Sequence, residues 1–264
     1  MRIDLSGKKA VISGSTAGIG FGIARGLAAA GADVVITGRE RDRVDQALAS
    51  LTKAFPDIHA EGVAADLGTA EGCQALIAAH PEADILVNNV GIFKPTPFFE
   101  IEDHDWESFF QVNVMSAVRL SRHYAQGMRD RDWGRVLFLS SESALNIPTE
   151  MVHYGMTKTA VQSISRGLAK VLTGTRVTVN AVLPGPTRSE GVGKMLQEMA
   201  EERGLSGAEM EERFIEENRP SSIIHRVADV EEVANMVVYL ASPQASATTG
   251  AALRVEGGIV DTMA

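Results

Sequence analysis

The sequence predicts an α/β fold: a doubly wound parallel sheet of about seven strands, helices on both faces, and a helical lid insert. Three observations predict it. Short Val/Ile/Leu runs recur along the chain. Segments of helical periodicity separate them. One long stretch, between Pro184 and Asp229, carries no strand pattern. Continuous apolar runs suit strands covered on both faces, and strand–helix alternation makes the sheet parallel, with right-handed crossovers.

The first strand is expected at Ala10–Ile12, followed by a helix with Ile19, Ile23, Leu27 and Ala30 on one face. Strands follow at Asp33–Thr37, Ile58–Ala64 and Ile85–Val87. A helix then presents Trp106, Phe110, Ala117, Leu120 and Tyr124 on one stripe. The fifth strand is Val136–Leu139, and the next helix carries Ala160, Ile164, Leu168 and Val171. Val177–Val182 and Ala252–Val255 complete the sheet. The insert contains helices at about Gly193–Arg203 and Gly207–Asn218. It follows a strand end directly, where ligands bind in open α/β sheets, so 188–219 is expected to be a substrate lid. A solvated helical hairpin is the plainer alternative. No linker, repeat or low-complexity tract divides the chain, so 1–264 reads as a single domain.

Composition narrows the function. The net charge of −9 argues against a general nucleic-acid binder. A single cysteine, Cys73, allows no intrachain disulfide and fits a reducing compartment and a place in the core. No apolar run approaches the ~18 residues of a membrane span. With no signal-peptide core at the start, a soluble cytoplasmic protein is expected. The six histidines show no metal-ligand spacing, so no metal is expected.

Two motifs carry chemistry. Ser13-Gly14-Ser15-Thr16-Ala17-Gly18-Ile19-Gly20 joins the first strand to the first helix. Glycines there permit a tight turn and close backbone approach, and the helix offers free N–H groups and a positive dipole end to a phosphate. An ordinary glycine-rich turn is the bland reading. The second motif is Tyr154-Gly155-Met156-Thr157-Lys158. Residues four apart share a helix face. An ammonium near a phenol lowers its pKa, so Tyr154 is expected to exchange a proton near neutral pH. Alone this spacing says little; after the fifth strand, with the glycine turn upstream, it is informative.

Together the Gly-x-x-x-Gly-x-Gly turn and Tyr-x-x-x-Lys resemble the short-chain dehydrogenase/reductase family over nearly the whole chain, with a Rossmann sheet. The resemblance implies a carbonyl–alcohol oxidoreductase. Asn113, Ser141, Tyr154 and Lys158 would be its catalytic set. Ser141, thirteen residues before Tyr154, would bind the substrate oxygen, with Ser140 the adjacent competitor. Asn113 would hold a water in a proton relay near Lys158; a satisfied core amide is the alternative. Glu142 has no physical account from sequence.

The resemblance also assigns cofactor contacts: Gly14, Ser15, Thr16, Gly18, Ile19 and Gly20 to the pyrophosphate turn, and Asp66 and Leu67 to the adenine. Asn88 and Gly91 would lie at the adenine ribose, Tyr154 and Lys158 at the nicotinamide ribose, and Pro184, Gly185 and Thr187 at the nicotinamide. Val90 departs from the family's usual Ala, and Glu256-Gly257-Gly258 from Asp-Gly-Gly. The second strand ends in Thr37-Gly38-Arg39, without the acid that would bind both ribose hydroxyls of NAD. Arg39 suits a 2′-phosphate, so NADP(H) is favoured over NAD(H).

The expected partner is a small-molecule carbonyl or alcohol, and the family resemblance implies a homotetramer. A 3-oxoacyl group on acyl carrier protein is one candidate substrate, with Arg119, Arg122, Arg129 and Arg131 as contributors to a basic patch. The insert opposes it, being rich in glutamate (Glu198, Glu201, Glu202, Glu209, Glu211, Glu212, Glu216, Glu217). A non-catalytic nicotinamide sensor is the competing class; it would need no proton donor.

Overall fold

The computed structural model describes residues 2–263. Seven strands form one parallel sheet in the order β3-β2-β1-β4-β5-β6-β7. They are β1 (Lys9–Ile12), β2 (Asp33–Gly38), β3 (Ala60–Ala64), β4 (Ile85–Asn88), β5 (Gly134–Leu139), β6 (Val177–Pro184) and β7 (Ala252–Val255). The helices are α1 (Gly18–Ala29), α2 (Arg41–Ala54), α3 (Ala70–Ala79), α4 (Asp103–Phe110), α5 (Ser116–Asp130), α6 (Val152–Val171), α7 (Glu190–Arg203), α8 (Gly207–Asn218) and α9 (Val230–Ala241). Strand order reverses at β1, which pairs with β2 on one side and β4 on the other. The carboxyl ends of β1 and β4 therefore flank a crevice, the usual ligand position in this architecture.

Alternation along each strand explains why both faces are covered. Ala10, Ile12, Ile36, Val87 and Leu139 point to one face and pack with Ile23, Leu27, Val233 and Val237 of α1 and α9. Val11, Val35, Leu86 and Phe138 point to the other and pack with Leu76, Leu120, Tyr124 and Val161. Cys73 lies in this second core, as a small apolar side chain would. Strand ends move by one or two residues from the expected positions because the ladder hydrogen bonds extend into Gly38, Asn88 and Pro184.

Two helical stripes differ from expectation. The stretch read as one helix around Asn113 is interrupted by a π turn, Gln111–Met115, between α4 and α5. A π turn inserts one extra residue, so the stripe before it shifts by one. Phe109 is buried, while Phe110 is 39% exposed. On α6, Val171 is exposed and Ile164 and Leu168 only partly packed; Thr157, Lys158, Val161 and Ser165 face inward instead. Polar residues on the buried face broke the apolar pattern.

In the insert, α8 begins at Gly207 as expected, because Ser206 and Glu209 form a reciprocal capping box. α7 begins earlier than expected, at Glu190, because the Ser189 hydroxyl accepts a hydrogen bond from the Val192 amide. The two helices share a small core of their own, Leu196, Ala200 and Met210, flanked by Met195, Met199 and Phe214. After β7, Glu256 accepts from the amides of Ile259 and Val260, which accounts for its place at the tail turn.

Candidate active site

The turn after β1 is built from backbone need. Gly14 has φ +64°, a conformation L side chains avoid. A Cβ on Gly20 would strike the Gly14 carbonyl and lie 2.5 Å from Asn89 Nδ2. The turn is braced from β2: the Gly14 amide donates to Thr37 Oγ1 (2.9 Å), and Ser15 Oγ donates to Ile12 O (2.8 Å) while accepting from Thr37 N (2.9 Å). Ser15 is thus fully buried and its hydroxyl spent on the strands, so it does not face a phosphate as expected. Thr16, Gly18 and Ile19 are partly exposed at the turn. Ala17, the N-cap of α1, has no capping side chain, so the first amides of the helix stay open to an anion.

At the end of β4, Asn88 differs from expectation. Its side chain is buried and donates to Ser121 Oγ on α5 (3.0 Å), away from the crevice. Asn89 does the bracing: its amide nitrogen donates to the carbonyls of Ser13 (3.0 Å) and Gly14 (2.8 Å). A Cβ on Gly14 would lie 3.0 Å from Val90 Cγ2, a tight contact added to the unfavourable φ at that position. Gly91 gives room beneath Lys158: a Cβ would lie 3.3 Å from Nζ and 3.5 Å from Asn113 Oδ1. Asn113 sits in the π turn, a deformation often found at functional sites. Its Oδ1 accepts from Ile92 N (2.7 Å), and its Nδ2 donates to Ile92 O (3.0 Å) and Thr157 Oγ1 (3.0 Å). The amide is thus satisfied by the chain itself, and it ties the β4 loop to α6.

Ser141 and Tyr154 meet. The Ser141 hydroxyl, lining the same cavity as the phenol, accepts from Ser143 N (3.1 Å). Ser140 is excluded as the partner, because its hydroxyl donates to the Lys158 carbonyl (2.8 Å). Lys158 Nζ donates to the Leu139 carbonyl (2.9 Å) and stands 5.5 Å from the Tyr154 ring centroid. Among the described residues it has no carboxylate within ion-pair distance. Burial pushes Lys158 down to about 8. Burial also pushes Tyr154 up to about 12, the Ser141 hydrogen bond opposing it. Desolvation of the buried phenolate is thus the largest influence on Tyr154 in the protein alone, and it raises the pKa where the sequence predicts a lowering by Lys158.

These groups line a cavity of about 660 Å³, together with Ile19, Asn89, Gly91, Pro184, Gly185 and Thr187. The Thr187 hydroxyl is bound to Gly185 O (2.9 Å), and Thr187 bridges in parallel to Ala228. Arg39 lies outside the cavity; it is exposed and holds no ion pair or hydrogen bond among the described residues. Asp66 is exposed and accepts from Gly68 N (3.0 Å), while Thr69, not Asp66, caps α3. Leu67 is a core residue, so only its backbone is available to a ligand. His153 is buried beneath Phe109, ring centroids 4.0 Å apart. Among the described residues no cluster of three or more His, Cys, Asp or Glu could hold a metal, and no helix is long and apolar enough to cross a membrane.

Sequence reasoning missed the far wall. Glu142 is buried and paired with Arg219, Nε to Oε1 2.7 Å. Met195, Met199 and Phe214 from α7 and α8 complete the lining. Glu142 was visible beside Ser141, but its partner lies at the end of α8, and no local pattern links the two.

A family model described as enoyl-(acyl carrier protein) reductase matches residues 14–260. An uncharacterized oxidoreductase of Bacillus subtilis, YvaG, is 50% identical over 260 residues, covering 98% of each chain. The 3-oxoacyl-[acyl-carrier-protein] reductase of Aquifex aeolicus is 31% identical, over 98% of this chain and 100% of that one. A solved L-sorbose reductase from Gluconobacter frateurii, complexed with NADPH and L-sorbose, superposes with a TM-score of 0.94 at 33% identity, covering 100% of both chains.

Proposed function

The chain belongs to the short-chain dehydrogenase/reductase family and is an NAD(P)-dependent oxidoreductase; from that premise we propose that it reduces a small carbonyl compound to a secondary alcohol, with Tyr154 as proton donor and NADPH as cofactor. The observation that carries this is one cavity lined by Ser141, Tyr154 and Lys158, with Ile19 of the glycine turn on its wall. The residues fit a nicotinamide dinucleotide. The uncapped start of α1 and the turn that a Cβ on Gly20 would fill suit its pyrophosphate. The free donors of Lys158 suit its ribose. When bound, the cofactor supplies the hydride.

The chain supplies the proton and the polarisation. Held up at about 12, Tyr154 is a neutral phenol at neutral pH and carries the proton it must give. Ser141 donates to the same developing oxyanion. Asn113 ties the Ile92 backbone to Thr157, the residue before Lys158; in this reading it positions the lysine and backs a water-borne relay. α7 and α8 close the cavity as a lid, since Met195, Met199 and Phe214 already face it.

Two expectations test the cofactor. NADPH binding weakens as pH rises past about 8, because Lys158 loses its charge there; fluorescence titration reads this. In Lys158→Arg the inflection disappears, since guanidinium stays charged. Arg39→Ala lowers kcat/KM with NADPH by roughly 10- to 100-fold while NADH changes little, the loss of about one charge-assisted phosphate contact. Equal or better kcat/KM with NADH in the wild type overturns the NADP preference.

A substrate on an acidic carrier is disfavoured. Glu150, Glu198 and Glu202 line the cavity, and Arg119, Arg122, Arg129 and Arg131 do not. A panel of carbonyls and alcohols, followed by NAD(P)H absorbance, tests the reaction. No turnover on any member, with NADPH tightly bound, would replace it with the sensor reading.

A further inference from the structure

The start of α7 touches three separate edges of the crevice with consecutive residues. A Cβ on Gly18 of the glycine turn would lie 3.1 Å from Ser189 Cβ. Glu190 is held by Arg43 of α2, whose Nη2 donates to Oε1 (2.8 Å) and Oε2 (2.6 Å). A Cβ on Gly191 would lie 3.6 Å from the ring of Phe93, in the loop after β4. α2 follows β2 and α7 follows β6, so the Arg43–Glu190 pair spans the carboxyl ends of the strands between them, β1, β4 and β5. Among the described residues it is the one ion pair that joins the β1–β3 half of the chain to the β4–β7 half. Arg188, two residues earlier, keeps to its own half, bound to Glu211 and Asp229.

Local preference does not explain the pair. Arg43 stands in the first turn of α2, at the positive end of the helix dipole, where a cation is disfavoured. Glu190 suits the first turn of α7. Its backbone, however, lies beside Gly18 and the open amides assigned above to the cofactor pyrophosphate. A bare carboxylate there would repel that anion. Paired across the crevice, each charge offsets the other.

We propose that Arg43 and Glu190 form a clasp that holds the start of the lid down over the cofactor pyrophosphate and so sets how fast the cofactor leaves. This rests on the cofactor site and the lid reading above. Both are positioning residues, since neither lines the cavity that holds Tyr154.

The test is a double-mutant cycle on the full chain: wild type, Arg43→Gln, Glu190→Gln and the two together. Bound NADPH or NADH is displaced by excess oxidised cofactor, and nicotinamide fluorescence reads the release rate in a stopped-flow instrument. Each single variant speeds release about two- to fivefold, the coupling expected of an exposed pair. The double variant is no faster than either single one, because the same bond is lost in each. Both cofactors respond equally, since the pyrophosphate is common to them. Raising the ionic strength from about 0.05 M to about 0.5 M narrows the gap between wild type and variants, because the pair, 46% and 62% exposed, is screened.

Two further readouts separate the clasp from a merely structural role. The melting temperature moves by no more than about 3 °C. Hydrogen exchange in the first turn of α7 quickens in Glu190→Gln with no cofactor bound. The sign for Glu190→Gln is decisive: taking a carboxylate away from the pyrophosphate would slow release, whereas opening the clasp speeds it. Unchanged or slower release from Glu190→Gln, or single effects that simply add, overturns the clasp and leaves the oxidoreductase reading standing. An effect of Arg43→Gln on NADPH alone makes Arg43 a 2′-phosphate ligand and likewise overturns the clasp. A wild type that binds neither cofactor overturns both.

Discussion

Tyr154→Phe lowers kcat by about 10³-fold, within the usual range for loss of a positioned general acid, while the Kd for NADPH stays within about threefold of wild type. The substitution removes one oxygen and keeps the ring. The ring is what packs, edge-on to Phe93 at 6.3 Å between centroids. Lys158 does not depend on the phenol for its position, because Nζ is held by the Leu139 carbonyl. Its backbone is held as well, through Ser140 Oγ. The lysine therefore remains in place to bind cofactor, and the loss falls on proton transfer. Stopped-flow turnover and fluorescence binding, measured on the same preparation, separate the two. Near-normal kcat removes Tyr154 from the chemistry; a parallel loss of NADPH binding means the hydroxyl organises the site instead of reacting in it.

Arg219→Ala destabilises the protein by about 3–5 kcal/mol, the cost of leaving a buried carboxylate without its partner. At this chain length that is a fall in melting temperature of roughly 10 °C. The pair is buried on both sides, 8% and 3% exposed, so water does not screen it. It also joins the end of α8 to the turn after β5, segments 77 residues apart. Replacing Arg219 and Glu142 together with apolar residues recovers most of the loss, because the stranded charge is what costs. Calorimetric melts of wild type, single and double variants check this; an unchanged melting temperature for Arg219→Ala would show that solvent reaches Glu142 freely.

The frame of the molecule was legible in the sequence because it rests on local periodicity. Most of the strands announce themselves as Val/Ile/Leu runs separated by helical segments; β3, AEGVA, is the exception. The glycine turn is legible because Gly14 and Gly20 answer to backbone geometry alone. Features set by tertiary partners were not legible. The helix containing Asn113 kept its apolar spacing on paper, yet one inserted residue rotated everything before it. Ser15 and Asn88 stand where cofactor contacts are usual, but Thr37 and Ser121 claim their side chains. The spacing of Tyr154 and Lys158 predicts an ammonium that lowers the phenol's pKa; in the folded protein burial governs both, in opposite directions. Glu142 could not be explained without Arg219, and only the fold puts them together.

The small core shared by α7 and α8 has a consequence for how the molecule breathes. Leu196, Ala200 and Met210 bury against one another, separately from the two large cores on the sheet faces. A unit with its own apolar cluster can open as a unit, at a free energy below that of global unfolding. In the lid reading proposed above, the frequency of opening over the cavity is set by these few side chains together with the Arg219–Glu142 tie, none of them part of the sheet.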